Sequence, residues 1–470
     1  MRVSSKVFRP MLGSTLALAL AAPAFSQERA PESLLPPAAA PQTTAPRGEG
    51  VRAPSAAVPG AVSQPVVQSL TLPPMPRYAA VMQWSSDSAG KLLEVIEGIG
   101  EEGLDPADYQ PEALRSAIAA GEGAALDDQA SRMFTWLVQD LRDGRTPMDA
   151  RRQWFVIDPD PDLLPTGQVM EQALASGNVA AALQSLNPTH PDYLALKEEL
   201  AATPRASTSR RNLVRANMDR WRWLARDLGN QYLLTNVPEF QLRMTVNNRI
   251  IRSYRTIVGK PGRTATPQLA ETVEGVIFNP TWTVPQSIVK GEGLGNRVLN
   301  NPSWARANGY KGTRAGNGFI TVVQQPGAGN SLGMMKLDMP NPHAIFLHDT
   351  PNRNLFDNDQ RALSHGCIRT ERALELAMTI AILGQGASKE EAVEIARSGE
   401  YTRVPVTRSM PVYITYFTMA RDIDGELRTF DDIYGRDAPV LAALKAPRVE
   451  QRQRTTDEEL IVIEDDLQTT

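Results

Sequence analysis

One cysteine stands among 470 residues, with only four histidines beside it. A single thiol cannot close an intramolecular disulfide, so a disulfide-stapled fold is excluded. One Cys and four scattered His also give no C-x-x-C, no H-E-x-x-H and no paired ligand spacing, so neither a metal site nor a cofactor is expected. Past the N-terminus no apolar run approaches the ~20 residues that span a bilayer, which argues against stable membrane insertion. The 49 Lys and Arg residues are matched by 53 Asp and Glu, for a formal net charge of -4. No part of the chain concentrates basic residues, which argues against nucleic acid as a partner. No pair of carboxylates stands out for acid–base hydrolysis, and most acidic residues will be solvated surface.

The N-terminus reads as a signal peptide over 1–26. Arg2, Lys6 and Arg9 form a positive region, Met11 to Ala22 a short apolar one, and Ala24-Phe25-Ser26 a cleavage signal. The alternative is an anchor left in place; no Cys follows the apolar stretch, so a lipid anchor at the new N-terminus is excluded. In an oxidising compartment a lone thiol is a liability unless something uses it, or else it is a buried Cys serving as a small hydrophobe.

Residues 27–77 are rich in Pro and Ala and read as a disordered linker. From 78 to 205 the apolar spacing is helical, as in Ala130 to Arg142 with Met133, Trp136, Leu137 and Leu141, and predicts an all-helical domain. It holds no evident chemistry, and His190, inside Asn187-Pro188-Thr189-His190-Pro191, reads as a surface loop residue. Over 206–445 a helix carrying Trp221 and Trp223 precedes a mainly β domain. Phe240 to Val246 alternates, Asn247-Asn248 makes a tight turn, and Arg249 to Val258 returns. Further strands are predicted at Phe319–Gln324, Ala344–His348 and Val412–Tyr416, with one clear helix at Glu371–Leu383. Residues 446–470 end in an acidic run and read as a disordered tail. The fold class is α+β: a helical domain followed by a mainly β domain with few helices.

The chemistry gathers around Ser364-His365-Gly366-Cys367-Ile368-Arg369. Cys367 is placed just before a helix that Thr370 can cap, where the unsatisfied N–H groups favour thiolate over thiol. Gly366 permits backbone angles that aim peptide N–H groups at one point, as an oxyanion hole requires. A cysteine nucleophile also needs a base. His348 ends a predicted strand and faces a loop that returns to Cys367; His365, two residues from the cysteine, either helps orient the turn or, as so close a neighbour often does, points elsewhere.

His348-Asp349-Thr350-Pro351 followed by Ser364 to Arg369 resembles the signature of L,D-transpeptidases with the YkuD-type fold. Asn279 to Pro285, Val258-Gly259-Lys260-Pro261 and Pro326-Gly327 through Asn330 to Gly333 are similar to the subgroup with an N-terminal helical scaffold domain. The resemblance implies a periplasmic peptidoglycan enzyme and a carbapenem target. It would form 3-3 cross-links between stem peptides, with a tetrapeptide donor, a diaminopimelate acceptor and cell-wall synthesis proteins as partners. It implies Cys367 as nucleophile and His348 as base, with backbone N–H groups at Gly366 and Cys367 holding the oxyanion and Ser364 and His365 in support. The same motif serves an L,D-carboxypeptidase, an enzyme attaching proteins to the wall, or a scaffold that binds without catalysis. Compact family members carry Asn where Arg369 stands; a guanidinium there pairs with a substrate carboxylate or forms a structural ion pair. No peptidoglycan-binding module fits between the two domains, and the segment 288–320, matching the family's active-site cap, is short. Trp282 is either a groove wall or core, and Phe346 shares the strand face of His348 by parity.

Overall fold

The computed structural model describes residues 81–156 and 160–449. The signal peptide, the linker and all but the first residues of the acidic tail lie outside these. Eight helices come first: α1 (Ser86–Gly98), α2 (Pro111–Ala120), α3 (Ala124–Asp143), α4 (Asp160–Leu163), α5 (Thr166–Ser176), α6 (Val179–Gln184), α7 (Pro191–Ala202) and α8 (Thr208–Trp221). The predicted α3 face is largely as read. Met133, Leu137 and Leu141 are buried with Leu126, Ala130 and Phe134 in one apolar cluster, each Leu contributing about 2 kcal/mol. Trp136 is only half-buried and lies instead under the Arg448 guanidinium, 5.0 Å from its ring. The helix stops at Gly144, whose φ of 86° and position against Trp223, 2.6 Å from where a Cβ would sit, admit no other residue.

His190 is not a surface loop residue. Its Nδ1 accepts the Asp192 N–H at 3.1 Å, capping α7, and its ring stacks on Trp221 at 4.2 Å. Burial, with Arg243 nearby, pushes its pKa down to about 4.

The β-rich part is built on strands β1 (Gln231–Asn236), β2 (Gln241–Val246), β3 (Arg249–Gly259), β4 (Leu269–Thr272), β5 (Gly275–Phe278), β6 (Trp282–Thr283), β7 (Tyr310–Arg314), β8 (Ile320–Gln324), β9 (Met335–Asp338), β10 (Leu347–His348), β11 (Ala362–Ser364), β12 (Ile368–Thr370), β13 (Thr402–Pro405), β14 (Pro411–Thr415), β15 (Met419–Arg421) and β16 (Leu427–Thr429). The main sheet runs β13-β5-β9-β10-β12-β3-β2-β1-β14-β4, with β11 pairing β3. The β2–β3 hairpin turns at Asn247 and Asn248, both at positive φ (49° and 60°), which suits the twist of the flanking strands.

More helix is present than the one predicted. The short helices α9 (Gln286–Gly291), α10 (Leu294–Asn300) and α11 (Pro302–Ala307) pack with β6, β7 and β8 around a separate apolar cluster. None is long enough to show a periodicity. Beyond β12 come α12 (Ala373–Gln385), α13 (Lys389–Arg397) and α14 (Asp437–Lys445). Helix α12 is apolar nearly all round and packs on β5, β9 and β13 under the sheet, as a fully buried helix must.

The two regions share a third apolar cluster, in which Tyr193, Leu196 and Leu200 of α7 meet Trp221, Tyr232, Tyr413 and Phe417. A strand-like contact adds to it. Trp154 bridges Gln268 in parallel; the Phe155 N–H donates to the Gln268 carbonyl at 3.0 Å, and the Gln268 N–H to the Gln153 carbonyl at 2.9 Å. No helix among the described residues is long and apolar enough to cross a membrane.

Candidate active site

Three strands bring the site together. Strand β10 pairs β12 in parallel, with His348 opposite Arg369, and β9 antiparallel, with His348 opposite Lys336. Registered residues share a face, so Lys336, His348 and Arg369 form a row across the sheet. Phe346 and Cys367 stand two residues back along the chain from His348 and Arg369, just before the paired segments. The link there is the Ile368 N–H, donated to the Phe346 carbonyl at 3.1 Å. Cys367 is 0% exposed, His348 1% and Arg369 3%. The Lys336 ammonium lies 3.8 Å from the Phe346 ring centre, and that ring meets the His348 imidazole edge-on at 5.5 Å.

Strand β10 is shorter than predicted, because Ala344 takes φ 54°. Asn341 holds this bend: its carbonyl accepts the Ala344 N–H at 3.1 Å and its side-chain amide donates to the Ile345 carbonyl at 2.7 Å. The Ala344 carbonyl in turn accepts the Cys367 thiol at 3.6 Å, a normal reach for sulfur.

The thiol does not sit at a helix start. Strand β12 intervenes, Thr370 belongs to it, and α12 begins only at Ala373 after Arg372 adopts φ 48°. The helix dipole therefore gives no account of thiolate formation. The Gly366 N–H is likewise committed, donating to Ser364 Oγ at 3.1 Å, which departs from its expected place in an oxyanion hole. Ser364 Oγ itself donates to the Cys367 carbonyl at 2.7 Å, so this serine fixes the turn on both sides of the cysteine.

Thr266 is a residue that the sequence did not single out. Its hydroxyl donates to the Gly366 carbonyl and accepts the Gly259 N–H, both at 2.8 Å, and it is fully buried. Gly259 is required there, since a Cβ would fall 1.9 Å from the Thr264 carbonyl oxygen. Lys336 was missed too, although Met335-Lys336-Leu337-Asp338 alternates as a strand should. Asp349 is structural: its carboxylate accepts the Met334 N–H at 2.9 Å and pairs with Arg353 at 3.1 Å. Trp282, offered as a groove wall or core, is 4% exposed inside the cluster of α9–α11 and β6–β8 and is therefore core. Phe346 packs against both that cluster and the main one. His365 is half-buried in the turn between β11 and β12.

Electrostatics make the imidazole neutral. Burial pushes the His348 pKa down to about 3, with Arg369 and Lys336 lowering it further and a hydrogen bond with the Asp349 backbone opposing them. A neutral imidazole can accept a thiol proton, which is the first requirement in a base for a cysteine nucleophile. A cavity of about 850 Å³ opens next to this row, between Arg369, Thr350 and Asn352 on one side and Trp304, Tyr310 and Asn330 on the other. Its size suits an extended small ligand. Among the described residues no group of three or more His, Cys, Asp or Glu could hold a metal ion.

The sequence of this chain matches known protein families. Residues 230–414 match the YkuD family, described as an L,D-transpeptidase catalytic domain, and residues 80–200 match the family described as a scaffold domain. The chain thus combines an L,D-transpeptidase catalytic domain of the YkuD family with an N-terminal scaffold domain. It is 29% identical over 223 residues to a Haemophilus influenzae protein named "Putative L,D-transpeptidase". That match covers 44% of this chain and 45% of the relative, so the chain spans less than half the length of the curated relative it matches. Solved structures of an Enterococcus faecium L,D-transpeptidase (11% identity, TM-score 0.19, 40% of this chain and 50% of that one) and a Mycobacterium smegmatis L,D-transpeptidase (13%, 0.19, 40% and 58%) are also similar. Overlaps this partial define no geometry for the present chain.

Proposed function

We propose that this protein is a peptidoglycan L,D-transpeptidase that forms 3-3 cross-links through a Cys367 acyl-thioester. The observation that supports it best is the parallel pairing of β10 with β12, whose register sets His348 opposite Arg369, two residues after Cys367. Cys367 Sγ attacks the carbonyl that joins the third stem residue to the terminal D-Ala, and His348 takes the thiol proton. His348 then protonates the leaving D-Ala amine, and the thioester remains. The side-chain amine of a neighbouring diaminopimelate attacks the thioester, loses its proton to His348 and releases the sulfur. The Cys367 N–H is the oxyanion donor in this reading.

The low basicity of His348 makes this chemistry depend on substrate. A stem-peptide carboxylate on Arg369, beside Lys336, would offset two of the influences that depress the imidazole pKa. The base then strengthens when the donor is bound. The cavity beside Arg369 is the proposed place for the stem peptide. In the same reading residues 1–26 direct export to the periplasm, 27–77 tether the folded part, 78–205 form the scaffold and 206–445 the catalytic domain, with 446–470 as a tail.

The test is to incubate the protein and its Cys367→Ala variant with tetrapeptide muropeptides and resolve the products by mass spectrometry. A 3-3 linked dimer formed only with the thiol is expected. Release of D-Ala without dimer points to an L,D-carboxypeptidase, and the absence of any thiol-dependent product overturns the enzymatic reading.

A further inference from the structure

We infer that Phe155, in the segment that links the two halves of the helical region, is a positioning residue for the Cys367 thiol. Phe155 lies 188 positions before the residue it touches (343 minus 155), yet its ring packs on the His343 imidazole with centroids 4.1 Å apart. His343 is 4% exposed and immediately precedes Ala344, the residue at φ 54° whose carbonyl holds the thiol. The aromatic contact therefore braces the backbone bend that sets the direction of the Sγ–H bond.

The same segment reaches the other side of the cysteine. Gln268 Nε2 donates to the Arg152 carbonyl at 3.0 Å, and the Phe155 and Gln268 N–H groups complete a short ladder. Two residues before Gln268, Thr266 holds the Gly366 carbonyl. Arg436 ties the layers together, donating to both Gln153 Oε1 and, at 3.1 Å, the Thr266 carbonyl. One stretch, Arg152 to Phe155, thus supports the turn before the thiol through Thr266 and the thiol itself through His343. This would make the scaffold region a part of the active site.

A hydrogen bond to the neutral thiol disfavours the thiolate, and full burial does the same. Loosening the brace should therefore make the sulfur easier to ionise and to reach while spoiling its aim at a substrate carbonyl. The inference rests on reading Cys367 as the nucleophile, but alkylation reports on the thiol whatever acyl acceptor it serves. The titratable and charged groups on the elements next to it are Lys336, His348 and Arg369, registered with one another across β9, β10 and β12, with His343 and His365 on the flanking loops.

The experiment uses the full chain, in which Cys367 is the only thiol. Iodoacetamide alkylation is followed against pH for wild type, Phe155→Ala and Phe155→Tyr, with Cys367→Ala as blank, and D-Ala release from a tetrapeptide muropeptide gives kcat and KM. For Phe155→Ala we expect alkylation at neutral pH about tenfold faster, the equivalent of about one pKa unit, with kcat about tenfold lower and KM within about twofold. Phe155→Tyr, which keeps the ring face, should match wild type in both. Coincident alkylation profiles for Phe155→Ala and wild type overturn the inference, as does equal damage in Phe155→Tyr. Should Phe155→Ala lose its cooperative thermal transition, Phe155→Leu is judged by the same criteria. A wild type that alkylates normally but releases no D-Ala counts against the proposed function and leaves the positioning result to be read from alkylation alone.

Discussion

The neutral, buried His348 makes acid stability a measurable property of the candidate site. Its pKa is about 3 in the folded chain against an ordinary 6.5, so the unfolded chain binds a proton that the native site refuses. The stability this group gives is present above about pH 6.5 and is lost as pH falls toward its folded value, because protonation then favours the unfolded state. At about 1.4 kcal/mol for each unit, a fall from pH 6.5 to about 4.5 removes about 3 kcal/mol through this residue alone. His190, with its pKa near 4, should remove a similar amount, so the two together consume a large share of an ordinary domain's 5–15 kcal/mol. The assay is urea denaturation of wild type and His348→Asn near pH 7 and near pH 4.5. Each protein is compared with itself, so any fixed cost of the substitution drops out. The variant should lose about 3 kcal/mol less than wild type across that interval. Equal losses would refute the argument, since they would mean that His348 is as easily protonated in the fold as outside it.

Two further substitutions probe the frame. Thr266→Val leaves the Gly259 N–H and Gly366 carbonyl without the hydroxyl between them and should cost about 2 kcal/mol, read as a lower Tm, with slower D-Ala release. Arg448→Met takes the clasping cation from a buried carboxylate: Asp140, 1% exposed at its side chain, accepts from Arg448 at 2.8 and 3.1 Å and from the Tyr109 hydroxyl at 2.9 Å. A loss of about 3 kcal/mol is expected in chemical denaturation, and Arg448→Met with Asp140→Asn together should lose less than the single Arg variant.

The YkuD-type motif around His348 and Cys367 and the β2–β3 hairpin were legible because their signals are local: a motif, an alternation and an Asn-Asn turn. The parity argument for Phe346 and His348 held for the same reason. What pairs with what across the sheet was not legible, since the parallel contact of β10 with β12 and the strand β9 beside them depend on distant chain segments. The misreading of Cys367 as a helix-start thiol came from a single backbone event. Arg372 turns left-handed and leaves room for a strand that the apolar pattern of α12 does not announce. Helices α9 to α11 escaped because each spans only six or seven residues. The docking of Trp154 and Phe155 against the β-rich part had no sequence signal at all, because its hydrogen bonds and ring contacts join segments far apart in the chain.

The clasp of Arg448 on Asp140 also bears on the order in which the molecule is completed. The two residues are 308 positions apart, and the carboxylate sits on α3, near the start of the described chain. N-terminal elements emerge first during synthesis, so α3 can pack its apolar face long before its cation exists. Until then Asp140 has the Tyr109 hydroxyl for company and no positive partner from the C-terminal segment. A chain cut short of residue 448 keeps both Cys367 and His348 yet lacks the cation that clasps Asp140 inside its first-formed core. Completeness is thereby checked at the point farthest along the sequence from the helix that needs it, and truncated products are marked by instability in a region that they contain in full.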